Sequence, residues 1–532
     1  MKKYFFITCL AATLLSSCSN DFLERNPKDN YSNSSLWTSK TDVTAALNGC
    51  YAGWEYADNV VFSDCMTDNE FDQFPWDGYE TFAAGFSTPT DPGVDRWDFK
   101  SIQKCNWFLD NIDNVPASAI TDEFRARVKG EARFLRAYRY FVLSQSYGDV
   151  PLVLHELSPS EANKVEKTSK DLIVKFIVDE LVDIAPSLPI KYSGSDIGRI
   201  SRGAALGLKA RIELYSGNWA DCIATCQQLM SSPFSYSLYP NYTELFRPAN
   251  ADNVEVMLDV QNLKNDNPTW VLMAVAPNSQ GGWSSISPTQ ELIDAYETKN
   301  GKTIQEDPSY NPLQPYENRD PRLDASIVRP GVSYAGDYFN PYSGTDFYKN
   351  NNCSPTGYNV RKFIDNPDDF RNTDYGTDID NTGLNFIVMR YAEILLSYAE
   401  AKIESNQIDQ SVYDAINTVR NRAGMPNVNA VVYNSQATLR TLVRRERRVE
   451  LAMEGLRWYD IQRWKIGDEV MTANVKGCLL GTVDPNDGAL SLIPNSNIHV
   501  GERTFYNAKN YLLPIPQKEI DLNKSLKQNA NY

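Results

Sequence analysis

Pairs of helix-forming segments joined by short turns are the feature that most constrains the fold of this chain. From 122 to 147, Arg and Glu alternate with Ala, Phe, Leu and Tyr, and the pattern stops at Gly148-Asp149-Val150-Pro151, where Gly and Pro terminate helices. Segments 201–215 and 219–230 have apolar residues at helical spacing and are joined by Ser216-Gly217-Asn218. Paired helices with an Ala/Gly-rich face are typical of tetratricopeptide-like units. We therefore predict a mainly α fold built on a tetratricopeptide-like helical scaffold.

Two long stretches lack this helical pattern. Residues 64–93 have no sustained period, and residues 250–390 are dense in Pro, Gly, Asn, Asp and Tyr. In the second stretch only 254–260 and 271–275 have the composition of strands. Long loops of this kind are usually functional or disordered, and the many aromatic residues favour order. We predict an irregular, loop-rich face on the helical scaffold.

The first forty residues predict export and anchoring. Met1-Lys2-Lys3 is basic and an apolar run follows, too short to cross a bilayer but typical of a signal peptide, which we place at 1–17. Leu15-Ser16-Ser17-Cys18 is similar to a bacterial lipobox, in which the cysteine becomes the lipidated N-terminus. The alternative is an ordinary signal peptide with a cysteine at this place by chance. The polar stretch 18–40 is then a lipidated, flexible tether.

The remaining residues, 41–532, are predicted to form a single domain. Its predicted parts are an N-terminal helical part, a loop-rich part, and C-terminal helices with a closing segment, at 41–235, 236–389 and 390–532.

Composition limits the function. The chain has 52 basic and 68 acidic residues and a net charge of −16, which argues against nucleic acid as a partner. Its 30 Tyr and 10 Trp suit a ligand with flat apolar faces. The chain has two His and shows no nucleophile elbow, phosphate-binding loop or metal-ligand spacing, so we expect no metal or cofactor. Carboxylates are plentiful, so composition alone leaves a glycosidase open.

Eight blocks in order along the chain resemble the SusD/RagB family of surface lipoproteins. They are CSNDFLERNP (18–27), RFLRAYRYFVLSQSYGDVPLV (133–153), ISRGAALGLKARIELYSGNW (200–219), YENRDPRL (316–323), MRYAEILLSYAEA (389–401), INTVRNRAG (416–424), LVRRERRVELAMEGLRWYDIQRW (442–464) and YLLPIPQKEI (511–520).

This resemblance implies a fold and a function. It implies a SusD-like helical scaffold whose loops hold the ligand, and a non-catalytic protein attached to the outer membrane at the cell surface by a lipid on Cys18. It further implies capture of an oligosaccharide or polysaccharide and its delivery to a SusC-like, TonB-dependent transporter. The alternative within the same family is a peptide-binding lipoprotein of the RagB type.

The first candidate site is FDQFPWDGYETFAAGF (71–86), which holds six aromatic residues, three carboxylates and no Lys or Arg. Residues 64–93 correspond in position to a loop that binds the ligand in the family. A sugar ring has an apolar face that stacks on Trp or Tyr, and a rim of hydroxyls that needs polar partners. We predict Trp76 as the platform, although it could instead anchor the loop. Its expected neighbours are flanking rings and polar partners: Phe74, Tyr79, Asp68, Asn69 and Asp72. Three further rings are expected to anchor the loop: Phe71, Phe82 and Phe86.

The second candidate is Trp283 in SQGGWSSISP (279–288), because two glycines before it and two serines after it indicate an exposed loop tip.

Arg361 is a weaker candidate, from the loop-rich region 330–365. In the run Arg444–Arg448, opposite charges lie at short helical spacings. We interpret this run as ion pairs that fix helix packing; the alternative is a site for an acidic glycan.

Overall fold

The computed structural model describes residues 36–472 and 474–532. The predicted signal peptide at 1–17 and the predicted lipidation site Cys18 lie outside the described residues. The predicted tether, 18–40, overlaps the described part at 36–40. There Leu36 and Trp37 are buried, and the Trp37 ring lies 5.2 Å from the ring of Trp107. These residues therefore belong to the packed structure.

The described residues are mainly helical, as predicted. The longer helices span Lys40–Tyr51, Lys100–Asn111, Asp122–Tyr147, Lys170–Ile184, Arg202–Tyr215, Trp219–Leu229, Tyr391–Glu404, Gln410–Arg422, Gln436–Glu450 and Arg457–Trp464. The short ones span Ala57–Val61, Tyr79–Ala83, Pro159–Ala162, Tyr242–Leu245, Val271–Val275, Gln290–Ala295, Pro321–Ser326, Gly467–Val470 and Gln517–Leu522.

Strands in the described ranges pair two by two and antiparallel. The pairs are Glu70–Asp72 with Ile286–Pro288, Val150–Pro151 with Lys167–Thr168, Val256–Val260 with Phe386–Arg390, Ile327–Val328 with Asn359–Val360, Ser333–Tyr334 with Asp337–Tyr338, Gly376–Asp378 with Asn381–Thr382, and Asn474–Val483 with Leu490–Glu502. The last pair is a long hairpin in the part of the chain expected to be helical.

Consecutive helices pack side by side into a layered scaffold. Ser201 caps helix Arg202–Tyr215 by accepting a hydrogen bond from the Ala204 amide at 3.1 Å. On that helix, a Cβ at Gly207 would lie 2.2 Å from the Met389 sulfur, so the Met389 side chain would have to move to admit it. Helices in successive contact are Lys100–Asn111, Asp122–Tyr147, Lys170–Ile184, Arg202–Tyr215, Trp219–Leu229, Tyr391–Glu404 and Gln410–Arg422. This arrangement is the helical scaffold predicted from the paired segments.

Buried apolar side chains from Leu36 to Ile515 form one contiguous core, so the N-terminal and C-terminal helices pack on each other. A small second cluster comprises Val328, Val332, Tyr334 and Phe339. Within the described ranges, no helix has both the length and the apolar character required to cross a bilayer.

Candidate functional site

A two-stranded sheet brings the two predicted loops together. Glu70–Asp72 pairs antiparallel with Ile286–Pro288, and the pairing continues where the Gln73 amide donates to the Ser285 carbonyl at 3.0 Å. The Gln73 side-chain amide then donates to the carbonyls of Trp283 and Ser284, at 2.6 and 2.7 Å. The loop that carries Trp76 and the loop that carries Trp283 are therefore fastened side by side.

Trp76 is an exposed platform supported from one side. Its side chain is 76% exposed, and its ring stacks on Phe74 with centroids 4.7 Å apart and planes 13° from parallel. The Phe74 amide donates to Asp72 at 3.1 Å, which fixes the backbone below the pair. One indole face is taken by Phe74, and the exposure of the ring leaves surface for a ligand.

Trp283 lies at a tight turn of the neighbouring loop and is 39% exposed. The turn requires glycine, because a Cβ at Gly282 would lie 2.1 Å from the Ala276 carbonyl oxygen. The Trp283 ring lies 6.1 Å from the ring of Trp270, tilted by 47°. Trp270 in turn donates its indole N–H to Asp58 at 3.0 Å. This second aromatic group is thus held by a carboxylate on helix Ala57–Val61.

Further rings connect Trp270 to the first loop. Phe62 lies 6.2 Å from Trp270 and stacks on Tyr79 at 5.3 Å. Tyr79 is half-buried and begins the short helix Tyr79–Ala83, so it supports the loop from below. We refer to Phe74, Trp76, Trp270 and Trp283 as the aromatic face. Trp270 and Asp58 were missed in the sequence; the signal available was a Trp after the loop residues Asn265-Asp266-Asn267-Pro268.

Carboxylates accompany the aromatic face. Burial raises the pKa of Asp77, and the charge of Asp58 raises it further. Burial likewise raises the pKa of Asp58, against the opposing hydrogen bond from Trp270. Carboxylate oxygens and the Gln73 side chain are suitable partners for hydroxyl groups. Within the described residues, no group of three or more His, Cys, Asp or Glu side chains is arranged to hold a metal ion.

The structure places Asp68 and Asn69 in the interior, which corrects their predicted role as surface partners of a ligand. Both carboxylate oxygens of Asp68 accept hydrogen bonds from Arg457, at 2.8 and 2.9 Å, and Arg448 donates to Asn69 at 2.8 Å. Burial opposes ionisation of Asp68, but Arg448 and Arg457 outweigh it and lower its pKa to about 2. Both residues fix the base of the loop.

Asp72 is also removed from the surface, with 2% of the residue exposed. Burial raises its pKa to about 8, and the neighbouring carboxylates Asp77 and Glu80 contribute in the same direction. Asp72 therefore orders the loop through its bond to the Phe74 amide and is not placed to meet a ligand.

The remaining predicted residues divide between the loop and a separate region. Phe82 is buried edge-on against Trp458, as expected of an anchor, whereas Phe86 is exposed, so its prediction as an anchor was wrong. Phe71 is half-buried. Arg361 pairs with Asp365 and lies 6.0 Å from the ring of Tyr334. These contacts lie in loop 330–365, so we do not include Arg361 in the aromatic face.

Comparison with known proteins gives consistent matches along the chain. The model described as SusD family matches residues 249–532, more than half of the chain, and the model described as Starch-binding associating with outer membrane matches residues 12–214.

Individual relatives agree with these matches. A crystal structure of a SusD-like carbohydrate-binding protein from Bacteroides fragilis is 32% identical, with a TM-score of 0.82, covering 92% of this chain and 100% of that one. A SusD-like protein from Bacteroides ovatus is 25% identical over 487 residues, covering 87% of this chain and 83% of the relative. The starch-binding protein SusD of Bacteroides thetaiotaomicron is 28% identical over 165 residues, 30% of this chain and 28% of the relative.

Proposed function

The chain belongs to the SusD family, and from this premise we propose that it binds an oligosaccharide or polysaccharide at the cell surface through its aromatic face. The observation that carries the proposal is the exposed Trp76, stacked on Phe74 and held beside Trp283 by the hydrogen bonds of Gln73.

The arrangement fits the two faces of a sugar ring. The C–H face of a sugar lies on an indole, and its hydroxyls need acceptors and donors. Trp76 and Trp283 supply two such indoles on adjacent loops, and Asp58, Asp77 and Gln73 supply polar atoms around them. The platform is open, so it accepts an internal stretch of a long polymer. Many weak sites on one cell surface then capture a polymer by multivalency.

The test is affinity electrophoresis of the lipid-free protein, from Asn20 onward, through native gels that each contain one polysaccharide. We expect retardation in at least one gel. Trp76→Ala should weaken binding roughly tenfold, about 1.4 kcal/mol, because stacking supplies much of the contact. Trp283→Ala should have an effect of the same direction. The matched control is Tyr506→Ala, an exposed aromatic residue on a different segment.

Three outcomes separate the possibilities. Retardation that is lost in both Trp variants and kept in the control supports the aromatic face as the binding site, and the retarding gel identifies the glycan. Retardation that both Trp variants keep refutes the aromatic face as the site. If no gel in a broad panel retards the protein, the peptide-binding alternative is tested next with a peptide library.

We further propose that binding is not followed by hydrolysis. Incubation with the retarding polysaccharide should release no reducing sugar. Release that disappears in a variant of a single carboxylate pair would instead identify a glycosidase.

Anchoring and delivery complete the proposal. Cys18 carries the lipid, so a metabolically incorporated lipid probe should label the full-length protein and fail to label Cys18→Ser. The bound glycan passes to a SusC-like, TonB-dependent transporter in the outer membrane. The full-length protein should then co-purify with such a transporter from detergent-solubilised outer membranes; recovery of the protein alone from membranes that contain the transporter would count against delivery.

A further inference from the structure

A cavity of about 350 Å³ is lined by residues that include none of the aromatic face. Its walls are the turn at 52–56, residues 95–104 and helix Asp122–Tyr147. The volume falls in the range of small-molecule sites. Four cationic side chains line it: Arg96, Lys100, Lys104 and Arg139. We call it the arginine cavity.

Arg139 is buried in the wall of this cavity with few partners. It is 5% exposed, yet among the described residues its guanidinium makes one hydrogen bond, to the Trp54 carbonyl at 3.4 Å. A carboxylate oxygen of Asp98 lies 3.6 Å from Nε, beyond hydrogen-bond distance, and Nε has no other partner. A guanidinium carries five N–H donors. Arg139 therefore lines the cavity with fewer partners than a buried guanidinium normally has, although its Nε is itself enclosed.

Arg96 adds further unpaired positive charge. Its guanidinium donates to the hydroxyls of Tyr459 and Ser63, and its Nε has no partner. Among the described residues, no carboxylate oxygen lies within ion-pair distance of it. The buried Arg390, for comparison, contacts Glu255, Glu450 and Glu454. In the described part of the cavity wall, Arg139 has one carboxylate, Asp98, at 3.6 Å, and the half-buried Arg96 has none within ion-pair distance.

The acidic residues that line the cavity are already engaged. Glu55 accepts from the Tyr138 hydroxyl at 2.8 Å and from the Asn59 side chain at 2.7 Å. Asp98 accepts from the Ser101 hydroxyl at 2.7 Å. Asp95 pairs with Lys518 at 2.9 Å. The lining thus has four cationic side chains against three carboxylates, and one of these, Asp95, is neutralised by Lys518 from outside the lining. The remaining positive charge suits a negatively charged group.

We propose that the arginine cavity binds an oxyanion, such as the carboxylate of an acidic sugar or of a small carboxylic acid. Arg139 and Arg96 supply N–H donors to its oxygens, and Lys100 and Lys104 supply positive charge at the rim. This site is independent of the aromatic face, whose partners are neutral sugar surfaces.

The test is a titration of the lipid-free protein with sodium glucuronate at pH 7, followed by ligand-observed NMR or calorimetry, with glucose, acetate and sulfate as parallel probes. Arg139→Gln removes a charged hydrogen-bond donor, so it should weaken glucuronate binding roughly tenfold or more. Lys100→Glu changes an exposed side chain that the fold does not need; it should weaken binding in the same direction, more so at low salt. The control is Lys175→Gln, an exposed lysine on another helix.

The outcomes assign the site. Glucuronate held about tenfold more tightly than acetate indicates a sugar acid, and equal affinities indicate small oxyanions in general; both support the proposal. Trp76→Ala should leave glucuronate binding unchanged, which separates this site from the proposed function. The proposal is overturned if none of the anions binds below about 10 mM, or if Lys100→Glu and Arg139→Gln both bind as the wild type does. If Arg139→Gln fails to fold, Lys100→Glu decides alone.

Discussion

Glu450 lies in a network of buried ion pairs between the C-terminal helices and neighbouring segments. Neutralising Glu450 tests whether this network stabilises the packing of those helices. Glu450 is fully buried, and its two carboxylate oxygens accept from three arginines on three different segments. Oε1 accepts from Arg390 at 2.6 Å and from Arg422, and Oε2 accepts from Arg322 at 2.9 Å. Glu450→Gln keeps the shape of the side chain and removes the charge that these arginines share.

The magnitude follows from the desolvation of the charges. Burial opposes ionisation of Glu450, but Arg422, Arg390 and Arg322 outweigh it and hold its pKa far below the usual range. Removing one member of such a buried group leaves uncompensated charge and costs about 3–5 kcal/mol. Unfolding entropy near 2.1 cal/mol/K per residue gives about 1 kcal/mol/K for roughly 500 residues, so Tm should fall by about 3–5 °C.

Differential scanning calorimetry at pH 7 measures this shift. The matched control is Asp179→Asn, which removes the same charge from the surface pair with Lys175, whose two side chains are largely exposed. Exposed pairs contribute about 0–1 kcal/mol, so the control should move Tm by about 1 °C or less. If Glu450→Gln lowers Tm no more than the control does, the buried network does not stabilise the packing of these helices.

Three further predictions concern the loops that carry Trp76 and Trp283. Asp72 stays protonated in the folded protein up to about pH 8, whereas in the unfolded chain it ionises near pH 4, so its contribution to stability falls as pH rises through this window. Asp72→Asn should therefore gain Tm relative to wild type as pH rises from about 4 to 8, and a pH-independent difference would contradict the raised pKa. Gly282→Ala should reduce glycan retardation, because the added Cβ would meet the Ala276 carbonyl at 2.1 Å and displace the turn that carries Trp283. The far-ultraviolet circular dichroism should change little. Retardation equal to that of the wild type would show that binding does not need the turn. Phe74→Ala should weaken glycan binding up to roughly tenfold by removing the ring that supports Trp76, since stacked pairs contribute about 0.5–1.5 kcal/mol, and fluorescence quenching by the retarding glycan measures it.

The helical scaffold was predictable because its information is local. Apolar spacing, caps and Gly or Pro terminators lie within each segment, and helix Asp122–Tyr147 ends where Gly148 follows. The strand prediction for 254–260 is confirmed at Val256–Val260, whereas that for 271–275 is wrong, because Val271–Val275 is a buried helical turn. An apolar run of five residues has too little periodicity to distinguish the two.

The family assignment is confirmed. Trp283 is exposed, as the two glycines before it and the serines after it indicated, and Trp76 is exposed as well, although the sequence left open whether it would anchor the loop. The polar partners could not be predicted in this way. Asp68 and Asn69 look like surface residues of a polar loop, but their partners Arg448 and Arg457 are almost 400 residues later in the chain. Only the tertiary fold shows that their charges are already satisfied.

This division within one loop has a functional consequence. The base of the loop is fixed by Asp68 and Asn69, buried and bonded to arginines of the scaffold, so substitutions there should cost stability. The tip carries Trp76 on Phe74 and is exposed, so substitutions there should change ligand choice at little cost to folding. A scaffold fastened by distant ion pairs can thus present different aromatic tips. Under the proposed function, the tilt and spacing of these rings, which the scaffold does not need for its own stability, would set which glycan is bound.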